Sequence, residues 1–100
     1  MITYTAIYEI TPKEHLASKK AFEKFLRPAK GIIRTLAASF GSPEPKVEIM
    51  KEETFTAHIT VSISAGQQKH IAIYELFNII GDYIAYRMAG TSVRALRSHT

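Results

Sequence analysis

The stretch ITYTAIYEI, residues 2–10, decides the fold because it alternates residue by residue and is rich in strand-forming side chains. The stretch TFTAHITVSI, residues 54–63, alternates in the same way. Residues 46–51 form a third strand-like run, joined to the second by a tight turn near Glu52-Glu53. These patterns predict an antiparallel sheet whose inward-facing residues are Ile2, Tyr4, Ala6, Tyr8, Ile10, Phe55, Ala57, Ile59, Val61 and Ile63.

A helix between the first two strands is predicted from apolar residues that recur every three or four positions between Phe22 and Phe40. Thr11 and Pro12 predict its start, since threonine caps helices and proline suits the first helical position. Pro28 lies inside this run, where a proline costs about 3 kcal/mol. We therefore expect the helix either to kink at Pro28 or to split there.

A second helix is predicted after Ser64 and up to about Met88. Gly81 lies in the middle of this helix, where glycine costs roughly 1 kcal/mol relative to alanine. Its presence indicates that another element approaches closely at that point. The core stripe of the helix is predicted to comprise Ile73, Leu76, Phe77, Ile80 and Ile84.

Residues 91–100 are expected to form either a fourth strand at the edge of the sheet or a flexible basic tail. The element order is therefore βαββα, or βαββαβ with the fourth strand, in a single α+β domain spanning residues 1–100. Three to four antiparallel strands would carry both helices on one face. The longer order is similar to that of the ferredoxin-like superfold. With the first helix split at Pro28, the order instead resembles that of KH RNA-binding domains, whose phosphate-clamping loop would fall at residues 27–31.

Composition and motifs exclude several classes of protein. The chain has no cysteine, so disulfides and thiolate metal sites are excluded. The four histidines show no metal-ligand spacing, and no catalytic motif is present, so we expect no metal, no cofactor and no enzymatic activity. No apolar run approaches the roughly 20 residues that span a bilayer. We expect a cytoplasmic protein, of the source cell or of an infected host, without a membrane contact.

Positive charge is concentrated in the first helix. The net charge is +4, and residues 13–34 carry seven cations against two acids, whereas residues 44–53 are mainly acidic. Several of the cations are seven residues apart, which aligns them along a continuous helix. Such a row is typical of a solvated helix surface or of a contact with an acidic partner. The predicted partner-binding residues are Lys13, Lys20, Lys24, Arg27, Lys30, Arg34, Arg94 and Arg97.

The second helix has more apolar surface than one core needs. Ile79, Tyr83 and Tyr86 lie beside its core stripe, so they are either covered by the final segment or form an interface with a partner or a second copy of the chain. The outward side of the sheet is small and polar, without the aromatic residues on which RNA-binding sheets stack bases. Tyr4 and Tyr8 are expected in the core or at its rim, and they could stack bases only if the first strand had the opposite phase.

These features favour a small non-enzymatic protein that docks on a larger protein or nucleoprotein complex, such as the inhibitors and adaptors carried by phages and mobile elements. Direct binding of RNA or DNA is the first alternative. A small ferredoxin-like enzyme or a ligand-binding dimer is the second, and it requires a concave pocket with His58 or a perturbed tyrosine between sheet and helix.

Overall fold

A computed structural model describes residues 1–12, 19–51, 56–87 and 91–99. Their elements follow the longer of the two predicted orders, βαββαβ. The strands are β1 (Ile2–Pro12), β2 (Lys46–Lys51), β3 (Ala57–Ala65) and β4 (Thr91–His99). The helices are α1 (Lys19–Ser39) and α2 (His70–Arg87), and a short 3-10 turn at Gln67–Lys69 precedes α2. No helix within these ranges is both long enough and apolar enough to cross a lipid bilayer.

The four strands form one antiparallel sheet in the order β2-β3-β1-β4. Tyr8 marks the register at the centre, because it lies opposite Ile59 of β3 and Ala95 of β4. The final segment is thus an edge strand from Thr91 to His99 and not a tail.

The core lies between the sheet and the two helices. The alternating residues of β1 and β3 that were predicted to face inward are buried wherever the structure describes them, apart from Ile2, which is half-buried at the margin. The core stripe of α2 is confirmed in full. Each large apolar side chain buried in this layer stabilises the fold by roughly 1.5–3 kcal/mol. The contribution of α1 to the core comprises Leu26, Ala29, Ile33 and Ala37.

The predicted start of the first helix is wrong. Thr11 and Pro12 belong to β1, where they lie opposite Ser92 and Thr91 of the edge strand. Sheet pairing with a distant part of the chain therefore outweighs the local capping signal.

α1 continues through Pro28 without splitting. Pro28 is exposed, so its ring and the carbonyl that loses a hydrogen bond face solvent, where water can bond to the carbonyl. Buried Leu26 on one side of the proline and buried Ala29 and Ile33 on the other hold both parts of the helix on the sheet. The order that resembles KH domains required a split helix and is not found.

Candidate functional site

The predicted cationic surface on the first helix is present on its solvent side. Lys24, Arg27, Lys30 and Arg34 are all exposed, and their spacing of three, three and four residues keeps them on one side of the continuous helix. We call these four residues the α1 cationic back. Of the other predicted cations in this region, Lys13 lies outside the described residues, and Lys20 lies in α1 but its side chain is not described.

In the part of the chain that the structure describes, acidic side chains neutralise little of the positive charge of the α1 cationic back. Arg34 Nε lies 4.0 Å from Glu44 Oε1, and the two side chains are 48% and 81% exposed. An ion pair this long and this exposed contributes little to stability. Glu48 instead contacts Lys46 at 3.1 Å on β2, opposite Thr60 on the side of the sheet that faces away from the helices.

The two predicted cations of the last strand do not join the α1 cationic back. Arg94 lies opposite Glu9, on the open face of the sheet. Arg97 lies opposite Ala6, on the helix side, and donates a hydrogen bond to Asn78 Oδ1 of α2 at 2.5 Å. Arg94 and Arg97 are three residues apart and therefore point to opposite faces of the sheet, because alternate residues of a strand do so.

The predicted apolar flank of α2 is only partly exposed. Ile79, Tyr83 and Tyr86 share one side of the helix, but Ile79 and Tyr83 are half-buried and Tyr83 packs against the core. Tyr86 is 82% exposed. β4 approaches a different side of the helix, at Gly81 and Ala85, so it does not cover Tyr86.

A groove of about 450 Å³ separates α2 from β4. Its lining includes the small residues Gly81 and Ala85 of the helix and Ala95 of the strand, together with Val93. Phe77 and three polar or charged side chains complete it. We call this the α2–β4 groove, and its lining comprises Phe77, Asn78, Gly81, Asp82, Ala85, Val93, Ala95 and Arg97.

Tyr8 packs against α2 at Gly81, one of the groove residues. Its hydroxyl donates a hydrogen bond to the Phe77 carbonyl oxygen at 2.5 Å, and a Cβ atom at Gly81 would lie 3.2 Å from its ring. This confirms the close approach predicted at Gly81. Burial raises the pKa of Tyr8 well above its ordinary value, and the nearby charge of Arg97 lowers it in part. Tyr8 is thus a protonated structural donor and a poor general base.

Four polar aromatic rings pack together at the end of β4. Tyr74 and His99 are joined by a 3.0 Å hydrogen bond between the tyrosine hydroxyl and Nδ1. The His70 ring packs against the Tyr74 ring at a tilt of 54°, with 4.7 Å between the ring centroids. Tyr4 completes the group, with centroid distances of 5.5 Å to His70 and 6.1 Å to His99. The guanidinium of Arg97 lies 5.9 Å from the Tyr74 ring centroid, so this cluster adjoins the α2–β4 groove.

Neither metal binding nor base stacking on the sheet is supported within the described residues. No group of three or more histidine or acidic side chains there could hold a metal ion. The open face of the sheet is formed by threonine, serine, charged and aliphatic side chains together with His58, which lies opposite Glu9 and Met50. Among the residues that the structure describes, this face offers no tyrosine or phenylalanine to a base.

The chain matches no protein-family profile, and no curated protein is significantly similar to it in sequence. Solved structures share its fold. The de novo designed protein Foldit4 superposes with a TM-score of 0.57 at 14% identity, covering 98% of this chain and 97% of its own. A dimeric ferredoxin-like protein from an uncultured marine organism gives a TM-score of 0.58 at 13% identity, covering 100% and 96%. A designed protein with a ferredoxin fold gives 0.53 at 14% identity, covering 97% and 85%. This chain therefore has a ferredoxin-like α+β fold, and at such identities the likeness extends to the fold alone.

Sequence reasoning missed the α2–β4 groove and the aromatic cluster beside it. Both depend on residues 91–99 being a strand, which places Arg97 and His99 on the helix side. Gly81 was the one residue in this region whose sequence position was informative, because a glycine in the middle of a helix indicated that another element approaches the helix there.

Proposed function

We propose that the protein is a non-enzymatic binding protein that docks on a larger, acidic protein or nucleoprotein partner through the α1 cationic back. The observation that carries the proposal is the uninterrupted helix. It presents Lys24, Arg27, Lys30 and Arg34 together at the surface, with a single long ion pair described among them. Inhibitors and adaptors of phage or mobile-element type are the class of protein that this arrangement suits.

Such a surface acts mainly on the rate of association with a partner. Each exposed charge contributes little by itself, but a group of the same sign raises the association rate with an oppositely charged surface. Arg27 and Arg34 are about 10 Å apart along the helix axis, so both can contact one partner surface. At physiological salt each charge acts over about 8 Å, so the attraction to the partner weakens as the salt concentration rises.

Affinity capture with charge reversal tests the proposal. The tagged protein and the variant Lys24→Glu/Arg27→Glu/Lys30→Glu are used to capture partners from a lysate of the source cells, with identification by mass spectrometry. A control with the same change in charge replaces three exposed cations elsewhere, Lys46, Lys69 and Arg87, by glutamate. We expect the α1 variant to lose the partner and the control to retain it.

Equal capture by both variants would contradict docking through α1. Direct nucleic-acid binding is tested separately. The protein is titrated with a defined duplex DNA and with a single-stranded RNA, at low and at physiological salt. Direct binding should weaken by roughly one logarithmic unit per logarithmic unit of salt for each phosphate contact.

An interface at Ile79, Tyr83 and Tyr86 is a second proposal about partners. The exposed ring of Tyr86 supports it, and one of the fold neighbours is described as dimeric. Sedimentation equilibrium of the purified protein and of Tyr86→Ala checks it. A homodimer centred on this ring would dissociate in the variant, and a monomeric wild type would exclude it.

A further inference from the structure

The outer edge of β4 is open to pairing. Within the described ranges, β4 pairs with β1 alone and lies at the end of the sheet. In a strand, the N–H and C=O groups of alternate residues point to opposite edges, so about half of those in this nine-residue strand point away from β1. Such an edge is a template for another extended chain.

The α2–β4 groove lies directly beside this edge, on the helix side. A strand added to β4 would direct every second side chain towards the helix side of the sheet and the others towards the open face. The groove offers the first set a volume of about 450 Å³, bounded by the small residues Gly81, Ala85 and Ala95 and by Val93. Strand addition beside a groove gives affinity through the main chain and specificity through alternate side chains.

The charge of β4 indicates which kind of extended chain could pair with its open edge. The strand carries Arg94 and Arg97 and no acidic residue, and these two face opposite sides of the sheet. Among the described residues, Arg97 donates to the Asn78 amide through one nitrogen and lies beside the Tyr74 ring. A guanidinium has five N–H donors, so it can also bond to a carboxylate. Asp82 also lines the groove, and its carboxylate would repel an acidic side chain placed beside it. We therefore expect apolar side chains of the added strand between Ala85 and Val93.

We propose that β4 and the α2–β4 groove bind an extended acidic segment of a partner protein, with apolar side chains at intervals, as a fifth strand. A second copy of this chain fits the edge less well, because β4 beside β4 would place the arginines of both strands along one edge. The site lies apart from the α1 cationic back, so the proposal does not rest on docking through α1.

The probe for the test is a fluorescently labelled, end-blocked peptide as long as β4, in which pairs of glutamates alternate with pairs of valines. Each face of the added strand then carries both residue types. Fluorescence anisotropy measures affinity, and amide chemical shifts of the protein locate the contact. We expect the shifts to concentrate on β4 and on α2 around Gly81. Arg97→Glu should weaken binding at least about tenfold, whereas Lys46→Glu, with the same change in charge on the opposite edge strand β2, should leave it unchanged within about twofold.

Two further comparisons separate strand addition from simple charge attraction. Ala85→Leu fills the groove and should weaken binding, while Ala38→Leu, at an exposed position of α1, should not. Methylation of the central peptide nitrogens removes the main-chain donors of the probe without altering the protein, and it should also cost at least about tenfold.

The proposal is overturned if the unmodified peptide does not bind, if its methylated form binds equally well, or if the shift changes fall on α1. A concentration-dependent dimer whose β4 amides are protected from hydrogen exchange would show that a second copy occupies the edge, and this would overturn it too.

Discussion

Tyr4 and Tyr8 occupy matching positions on β1, yet their hydroxyl groups have different surroundings. Both side chains are buried on the helix side of the strand, four residues apart. The Tyr8 hydroxyl donates to the Phe77 carbonyl. The Tyr4 hydroxyl is buried without a hydrogen-bond partner in the described part of the chain. The contacts of the Tyr4 ring are with the rings of His70, Tyr74 and His99.

The difference shows that α2 is held on the sheet in two ways. Near Gly81 the helix is fixed by a buried hydrogen bond and by the close approach of the Tyr8 ring to the helix, and the α2–β4 groove lies beside this contact. Near His70 it is held by aromatic packing, where each ring pair contributes about 0.5–1.5 kcal/mol beyond burial of its area. An unpaired hydroxyl there costs about 1–3 kcal/mol, which offsets part of that gain.

The largest expected effect comes from adding a methyl group at Gly81. Gly31 is the matched control, because it lies in the middle of α1 and a Cβ there would meet no atom within 4 Å. Gly31→Ala should raise the free energy of unfolding by about 1 kcal/mol through helix propensity. Gly81→Ala gains the same helix propensity, but its methyl group would lie too close to the Tyr8 ring. The hydrogen bond to Phe77 keeps that ring in place, so we expect the free energy of unfolding to fall by about 1 kcal/mol in total. Urea unfolding of both variants measures this difference of about 2 kcal/mol, and equal stability would refute the tight contact.

Tyr8→Phe tests the hydrogen bond itself. Removing the hydroxyl should lower the free energy of unfolding at neutral pH by about 1 kcal/mol, the usual net contribution of a buried hydrogen bond. A loss close to zero in urea unfolding would mean that the bond to Phe77 does not stabilise α2.

The same variant has a signature at high pH. The pKa of Tyr8 is raised in the folded state, so the folded state retains a proton that the unfolded chain loses above about pH 10. The wild type should therefore lose up to about 1.4 kcal/mol per pH unit from this group above that point, and Tyr8→Phe should not. Near pH 11 the deficit of the variant should vanish, which unfolding curves at both pH values would show.

The sequence predicted those parts of the fold that local periodicity determines. The five buried residues of α2 and the alternating burial of β1 and β3 follow directly from spacings of 3.6 and 2. The start of the first helix was mispredicted because Thr11 pairs with Ser92, about eighty positions away, and no local pattern reports such a pairing. Pro28 was expected to disturb the helix, but burial of Leu26, Ala29 and Ile33 on either side outweighs its local cost.

The site was less predictable because it is assembled across the sheet. Arg97 was predicted to bind a partner, but the face of the sheet on which it lies depends on the strand register, which places it opposite Ala6. His70 and His99 are distant in sequence, and their ring centroids lie 5.3 Å apart only because β4 returns beside β1. The α1 cationic back, in contrast, needed helical spacing alone.

Tyr4→Phe has the smallest expected effect and separates the two ends of α2 most directly. Since the Tyr4 hydroxyl is buried without a partner, its removal should leave the free energy of unfolding unchanged or raise it by up to about 1 kcal/mol. The phenyl ring keeps the edge contacts with His70 and Tyr74, so packing is preserved. The pair of variants Tyr4→Phe and Tyr8→Phe makes the same chemical change at two buried positions of one strand. A loss of stability at Tyr4 as large as that at Tyr8 would mean that a bound water satisfies the Tyr4 hydroxyl, and the two ends of α2 would then be held by the same kind of interaction.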